Sequence, residues 1–163
     1  MLSLVTGATA PILRQKTKRV VDPHSSEIKA LMSQMVETMR KEKGVGLAAP
    51  QIGKSVRLAV AEADNKIYYL INPEITAFSQ VKIVFEEGCL SLPGEFYPII
   101  RSETINVKFQ NEKGLPKKIQ AKGFLAIVIQ HEVDHLDGIL ICNRYKKQKK
   151  KLKSIIKNYG GLA

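Results

Sequence analysis

Apolar residues recur at the spacing of one helical face from Ile28 through Leu31, Met32, Met35 and Val36 to Met39, which predicts an amphipathic helix packed on a core. Ser25 or Ser26, just after the Asp22-Pro23 turn, can cap its start, and Lys41-Glu42-Lys43 followed by Gly44 carries the charge and C-cap signals of its end. Short β-type runs follow at residues 56–61, 66–71, 80–85 and 104–109, with Asn72-Pro73 and residues 111–114 as breakers. These predict hairpins in antiparallel sheets. From Gly123 to Leu136 there is no Gly or Pro after the first residue and the run is apolar nearly all round, the pattern of a helix buried in the middle of a fold. The last segment, Tyr145 to Tyr159, sets Leu152, Ile155, Ile156 and Tyr159 at helical spacing among lysines and predicts an exposed, basic amphipathic helix. The expected class is α+β: antiparallel β-sheets around a central buried helix, with one helix before it and one after.

Composition narrows this picture. The 163 residues, 44% of them hydrophobic, suit one domain with a real core, and there is no internal repeat and no dividing linker. The net charge of +11 makes polyanions plausible neighbours, but it is unevenly spread. From Gly138 onward, Arg144, Lys146, Lys147, Lys149, Lys150, Lys151, Lys153 and Lys157 are accompanied by no acidic residue. Cys89 and Cys142 are read as reduced, since a chain of this length needs no disulfide staple. No segment approaches the ~20 apolar residues of a membrane span, and a soluble, cytoplasmic protein is expected.

The predicted buried helix contains His131-Glu132-Val133-Asp134-His135, the H-E-x-x-H pattern. Residues four apart on a helix lie on one face, about 5–6 Å apart at Cβ, so both imidazoles can reach one metal ion with Glu132 beside it. Catalytic sites of this kind have three protein ligands and one open position. A protease-type third ligand downstream would be a Glu or a His, yet Asp137 is the one acidic residue beyond His135 and no histidine follows. Upstream, Cys89 in Glu87-Gly88-Cys89-Leu90-Ser91 offers a thiolate, a strong ligand for iron, zinc or nickel. Cys142 follows an apolar run and reads as structural, and His24 reads as a solvated loop residue. A third segment, 44–53, begins Gly44-Val45-Gly46-Leu47-Ala48-Ala49-Pro50-Gln51. It lacks the lysine and hydroxyl of a phosphate loop, but its small residues let a substrate backbone approach and Gln51 offers an amide donor for an oxyanion.

Together these segments resemble the three motifs of the peptide deformylases. Gly44 to Gln51 resembles G-φ-G-φ-A-A-x-Q, Glu87 to Ser91 matches E-G-C-L-S, and Gln130 to Leu136 matches Q-H-E-x-D-H-L. The resemblance extends from the first helix to about Tyr145. It implies metal-dependent removal of the formyl group from the N-terminal formylmethionine of nascent polypeptides, with release of formate. Carried over residue by residue, it implies that Cys89, His131 and His135 hold the metal. Glu132 would be the general acid/base, with Gln51 and the Leu90 backbone N–H as oxyanion donors. Gly44, Val45, Gly46, Phe85, Phe124, Ile127 and Val128 would contact substrate, the apolar ones forming a methionine pocket. Arg101 would pair with Glu87 behind the site.

The family typically uses Fe2+, while Zn2+, Ni2+ or Co2+ fit the same ligands; a thiolate beside redox-active iron predicts inactivation by oxidants. Residues 1–145 would form a single catalytic metallohydrolase domain and 146–163 a basic C-terminal helix or tail of that domain. Such a tail is associated in the family with docking on the ribosome. The expected partners are therefore N-formylmethionyl peptides and the ribosome, with no membrane and with a monomer as the expected state. Two features depart from the family pattern: aromatic Phe96-Tyr97 near a position where many relatives carry a basic residue, and the lysine-rich tail. An H-E-x-x-H metallopeptidase, or a nucleic-acid-binding module with a structural metal, are the competing readings at this point.

Overall fold

The apolar stripe beginning at Ile28 forms helix α1 (Ser26–Lys41), whose N-cap Ser25 hydroxyl accepts from the Ile28 N–H at 3.3 Å. Its end differs in detail from expectation. Lys43, not Gly44, takes the left-handed conformation, with φ of 57°, and the Gly44 N–H closes the helix on the Met39 carbonyl at 2.9 Å. A Cβ at Gly44 would lie 2.8 Å from Cδ1 of Leu90, so the Leu90 side chain would have to turn aside to admit one.

This computed structural model describes residues 2–158. Strands β1 (Gly46–Ala48), β2 (Leu58–Ala63), β3 (Lys66–Phe78), β6 (Thr104–Gln110) and β7 (Pro116–Lys122) form a five-stranded antiparallel sheet in the order β1-β2-β3-β6-β7. Strands β4 (Lys82–Cys89) and β5 (Leu92–Ser102) form a separate antiparallel hairpin. Helix α2 (Gly123–Leu136) has the bounds its apolar run predicts, and α3 (Ile141–Asn158) closes the described chain. The α+β class is as expected.

The core explains why α2 can be central. Ala48, Ala59 and Ala61 present small side chains to one face of the sheet, where Ala126, Ile129, Val133 and Leu136 of α2 pack with Leu70, Ile105 and Val107. The opposite face, through Leu47, Leu58, Val60 and Ile71, takes the Met32, Met35 and Met39 side of α1. Buried on both faces, β2 reads Leu58-Ala59-Val60-Ala61 without polar alternation, whereas β6, covered on one face, alternates.

Five strands depart from the pattern read in the sequence, β3 because of a contact distant along the chain. β3 runs through Asn72-Pro73, which the sequence reads as a breaker. Asn72 adopts φ of 53° at a shift in the β3/β6 register, and its side-chain amide accepts from the Val20 N–H at 2.8 Å and donates to the Val20 carbonyl at 3.0 Å. Pro93-Gly94, a turn-type pair by composition, lies within β5; the tight connection is Leu90-Ser91. β4 therefore extends to Cys89, which stands at the strand end. β1 and β7 were too short or too polar to show a period.

Helix α3 starts at Ile141, ahead of the expected Tyr145, because Leu140 and Ile141 fill a third core cluster with Leu13, Leu92 and Ile99. The division at 145/146 falls inside this helix. Its lysines are exposed, as expected, but Leu152 is buried. The Gln148 side chain pairs with the Ile100 backbone, accepting at 2.8 Å and donating at 3.0 Å. Tyr159 and the remainder of the tail lie outside the described residues. Among the described residues no helix is long and apolar enough to cross a membrane.

Candidate metal centre

Two imidazoles one turn apart on α2 converge with the sulfur at the end of β4. His131 Nε2 and His135 Nε2 are 3.2 Å apart, and Cys89 Sγ lies 3.2 Å from His135 Nε2; the three donor atoms are within 4.8 Å of one another. Tetrahedral bonds of ~2.0–2.1 Å to nitrogen and ~2.3 Å to sulfur put neighbouring donors roughly 3.3–3.6 Å apart. One thiolate and two imidazoles at this separation fit a borderline-soft transition-metal ion.

The surrounding charges favour a cation. The Glu87 carboxylate stands 2.9 Å from His131 Nδ1, leaving Nε2 turned to the cysteine, as a metal-ligating histidine requires. Burial alone disfavours charge on His131, but the Cys89 sulfur and Glu87 outweigh it and hold its pKa well above the ordinary value. Burial, reinforced by His131 and Arg101, pushes His135 well below, so its ring stays neutral and keeps a lone pair. Glu87 is itself buried, which would raise its pKa, yet hydrogen bonds from Arg101 and His131 hold it at about 2.

Behind Glu87 the ionic contacts continue. Arg101 grips it bidentately at 2.7 and 2.8 Å and reaches Asp134 at 2.6 Å; Arg144 of α3 also binds Asp134 through two guanidinium nitrogens. The Arg101–Glu87 pair expected from the resemblance is present, and Arg101 is buried. Asp134 and Arg144 were not singled out from the sequence, although an aspartate inside an apolar helix is a signal that a cation must meet it.

A cavity of about 480 Å³ opens in front of these groups. Gly44, Val45, Gly46, Gln51, Phe85, Cys89, Leu90, Phe124, Ile127, Val128, His131 and Glu132 all line it. His135 lies behind them, buried. Phe85 and Phe124 pair across it with ring centroids 6.0 Å apart, while Phe96, Pro93 and Gly94 supply lining that the site reading did not include. The Gln51 amide is fixed at both ends: its oxygen accepts from the Ala48 N–H at 2.9 Å, and Nε2 reaches Ser91 Oγ at 3.3 Å and Cys89 Sγ at 3.7 Å. Glu132 is buried against Gly46, where a Cβ would come within 2.8 Å of the Glu132 carboxyl carbon. Its Oε2 has no hydrogen-bonding partner among the described residues. Burial raises its pKa to about 7, with neighbouring His131 opposing and Glu87 reinforcing the shift.

The same combination of fold and site recurs in known proteins. The polypeptide deformylase family profile matches residues 2–151. The chain belongs to this family. A peptide deformylase of Picosynechococcus sp. is 46% identical over 142 residues, covering 84% of this chain and 75% of the relative. One from Dictyoglomus thermophilum is 48% identical over 134 residues, covering 82% and 86%. The crystal structure of the Thermotoga maritima peptide deformylase superposes with a TM-score of 0.85 at 42% identity, covering 88% of this chain and 97% of that one. Peptide deformylases are metal-dependent hydrolases that remove the N-formyl group from nascent peptides, and that is the activity of this chain. The competing peptidase and binding-module readings fall away.

The depressed pKa of Glu87 sets a pH dependence. Its contribution is complete above the ordinary carboxylate range and is lost as pH falls through about 2, a span worth about 3 kcal/mol. Urea unfolding in the presence of a chelator is expected to show stability falling from pH 5 towards pH 2, with a flatter profile and lower neutral stability for Glu87→Gln.

Proposed function

We propose that Cys89, His131 and His135 hold one divalent ion, Fe2+ in the cell, and that Glu132, Gln51 and the Leu90 backbone N–H carry out deformylation around it. The observation behind this reading is that the Cys89 sulfur and the His131 and His135 imidazole nitrogens converge beside a cavity that Cys89, His131, Glu132 and Gln51 line. When bound, the ion supplies Lewis acidity, polarising the formyl carbonyl and lowering the pKa of water at the site.

The protein's own groups do the rest. Glu132, with a pKa raised to about 7, accepts a proton from the attacking water and returns it to the departing amine at neutral pH. Gln51 Nε2, its oxygen tied to Ala48, is a preorganised donor to the oxyanion that develops on the formyl oxygen, and the Leu90 N–H is the second. Formate and a free α-amine result. Val45, Phe85, Phe124, Ile127 and Val128 receive the methionine side chain, while Gly44 and Gly46 let the peptide backbone approach. The substrates are thus N-formylmethionyl nascent peptides met in the cytoplasm by a monomer whose α3 belongs to the catalytic unit.

Formate release from a formyl-methionyl peptide by anaerobically purified protein tests these roles. Glu132→Ala is expected to retain its metal and lose at least ~10²-fold in kcat, and Cys89→Ser to lose both metal and turnover. A Glu132→Ala enzyme of near wild-type rate would refute the acid/base role.

For the tail, the exposed lysines of α3 suit ribosomal RNA phosphates. Replacing Lys146, Lys147, Lys150 and Lys153 by glutamine is expected to weaken ribosome cosedimentation and flatten its salt dependence; binding unchanged across salt concentrations would sink the idea.

A further inference from the structure

The contacts behind Glu87 do not stop in the core. Asp134 sits near the C-terminus of α2, where the helix dipole disfavours a negative charge, and its side chain is only 9% exposed. Two cations hold it there: Arg101 at 2.6 Å, and Arg144 through two guanidinium nitrogens. Arg101 in turn grips both oxygens of Glu87, and Glu87 meets His131 Nδ1. The result is a continuous run of ion pairs from α3 to an imidazole of the metal centre.

We propose that Arg144 is a positioning residue for the metal centre, acting through Asp134, Arg101 and Glu87 on His131 and on the hairpin end that carries Cys89. This rests on the reading of Cys89, His131 and His135 as the metal ligands.

The charge count gives the reason. Two carboxylates and two guanidiniums balance, with Glu87, Arg101 and Asp134 buried and Arg144 closing the run from the partly exposed side. Without Arg144, one guanidinium serves two buried carboxylates, and Asp134 draws Arg101 away from its bidentate hold on Glu87. Glu87 is then free to turn, and with it the hydrogen bond that aims His131 Nε2. Glu87 also lies two residues before Cys89 on β4, so the same loosening reaches the sulfur. A lysine at position 144 keeps the charge but not the fork.

The test compares the full-length wild type with Arg144→Ala, Arg144→Lys and Gln148→Ala. Zn2+ affinity by chelator competition, the visible spectrum of the Co2+-loaded protein and thermal unfolding are read in parallel. Gln148→Ala removes two hydrogen bonds that dock α3 on β5 but no link of the ionic run. Arg144→Ala is expected to bind Zn2+ roughly tenfold more weakly and to shift the Co2+ ligand-field bands, with Arg144→Lys intermediate. Gln148→Ala is expected to keep wild-type affinity even where its Tm falls as far. Equal affinities in wild type, Arg144→Ala and Arg144→Lys would overturn the proposal, and so would an equal loss in Gln148→Ala. If Arg144→Ala does not fold, Arg144→Lys against Gln148→Ala decides on the same criterion. A wild type that takes up no Zn2+, or whose Co2+ form lacks a thiolate charge-transfer band, would overturn the ligand assignment itself and this inference with it.

Discussion

The carboxylate of Glu87, buried between the Arg101 guanidinium and His131, is the contact on which the site depends. A carboxylate out of water is tolerated only when its oxygens are met by cations or donors, and here each oxygen has one from Arg101, with His131 on the second. The same contacts fix β4 against β5, because Glu87 and Arg101 come from the two strands of the hairpin, and fix the hairpin against α2. Cys89 follows two residues later, so the sulfur and the imidazoles are brought to a common point by ion pairs that would be costly to break singly.

The larger fold serves that placement. α2 can run through the interior because alanines on β1 and β2 leave room for it, and α1 covers the other face of those strands. A helix held on all sides carries its histidines at fixed angles, and the glycine at position 46 brings β1 close enough to shelter Glu132. The cavity is thus bounded by a strand, a hairpin end and a helix, elements stiffer than free loops. Its aromatic rim, Phe85, Phe96 and Phe124, remains partly exposed, as a cleft that admits the end of a peptide must be.

Much of this was legible in the residues. The run 123–136 is so uniformly apolar that its helix could be bounded to the residue, and the Met-rich stripe of α1 was equally plain. The candidate metal donors were readable because His131 and His135 share a helical face and no third ligand follows them downstream. What escaped was set by tertiary contacts. Asn72 keeps β3 continuous by bonding to Val20, far away in sequence, and no local pattern carries that information. Arg144 looked like one more basic residue of a charged tail, since nothing nearby in sequence names Asp134 as its partner. α3 began earlier than its lysines suggested because Leu140 and Ile141 answer to Leu13, Leu92 and Ile99.

The proposed chemistry requires that one thiolate and two imidazoles share a metal ion. X-ray absorption at the zinc edge of Zn2+-loaded protein tests it most directly. One sulfur at ~2.3 Å and two imidazole nitrogens at ~2.0–2.1 Å are expected, with the sulfur shell lost in Cys89→Ser. A first shell of nitrogen and oxygen alone in the unmodified protein would contradict it.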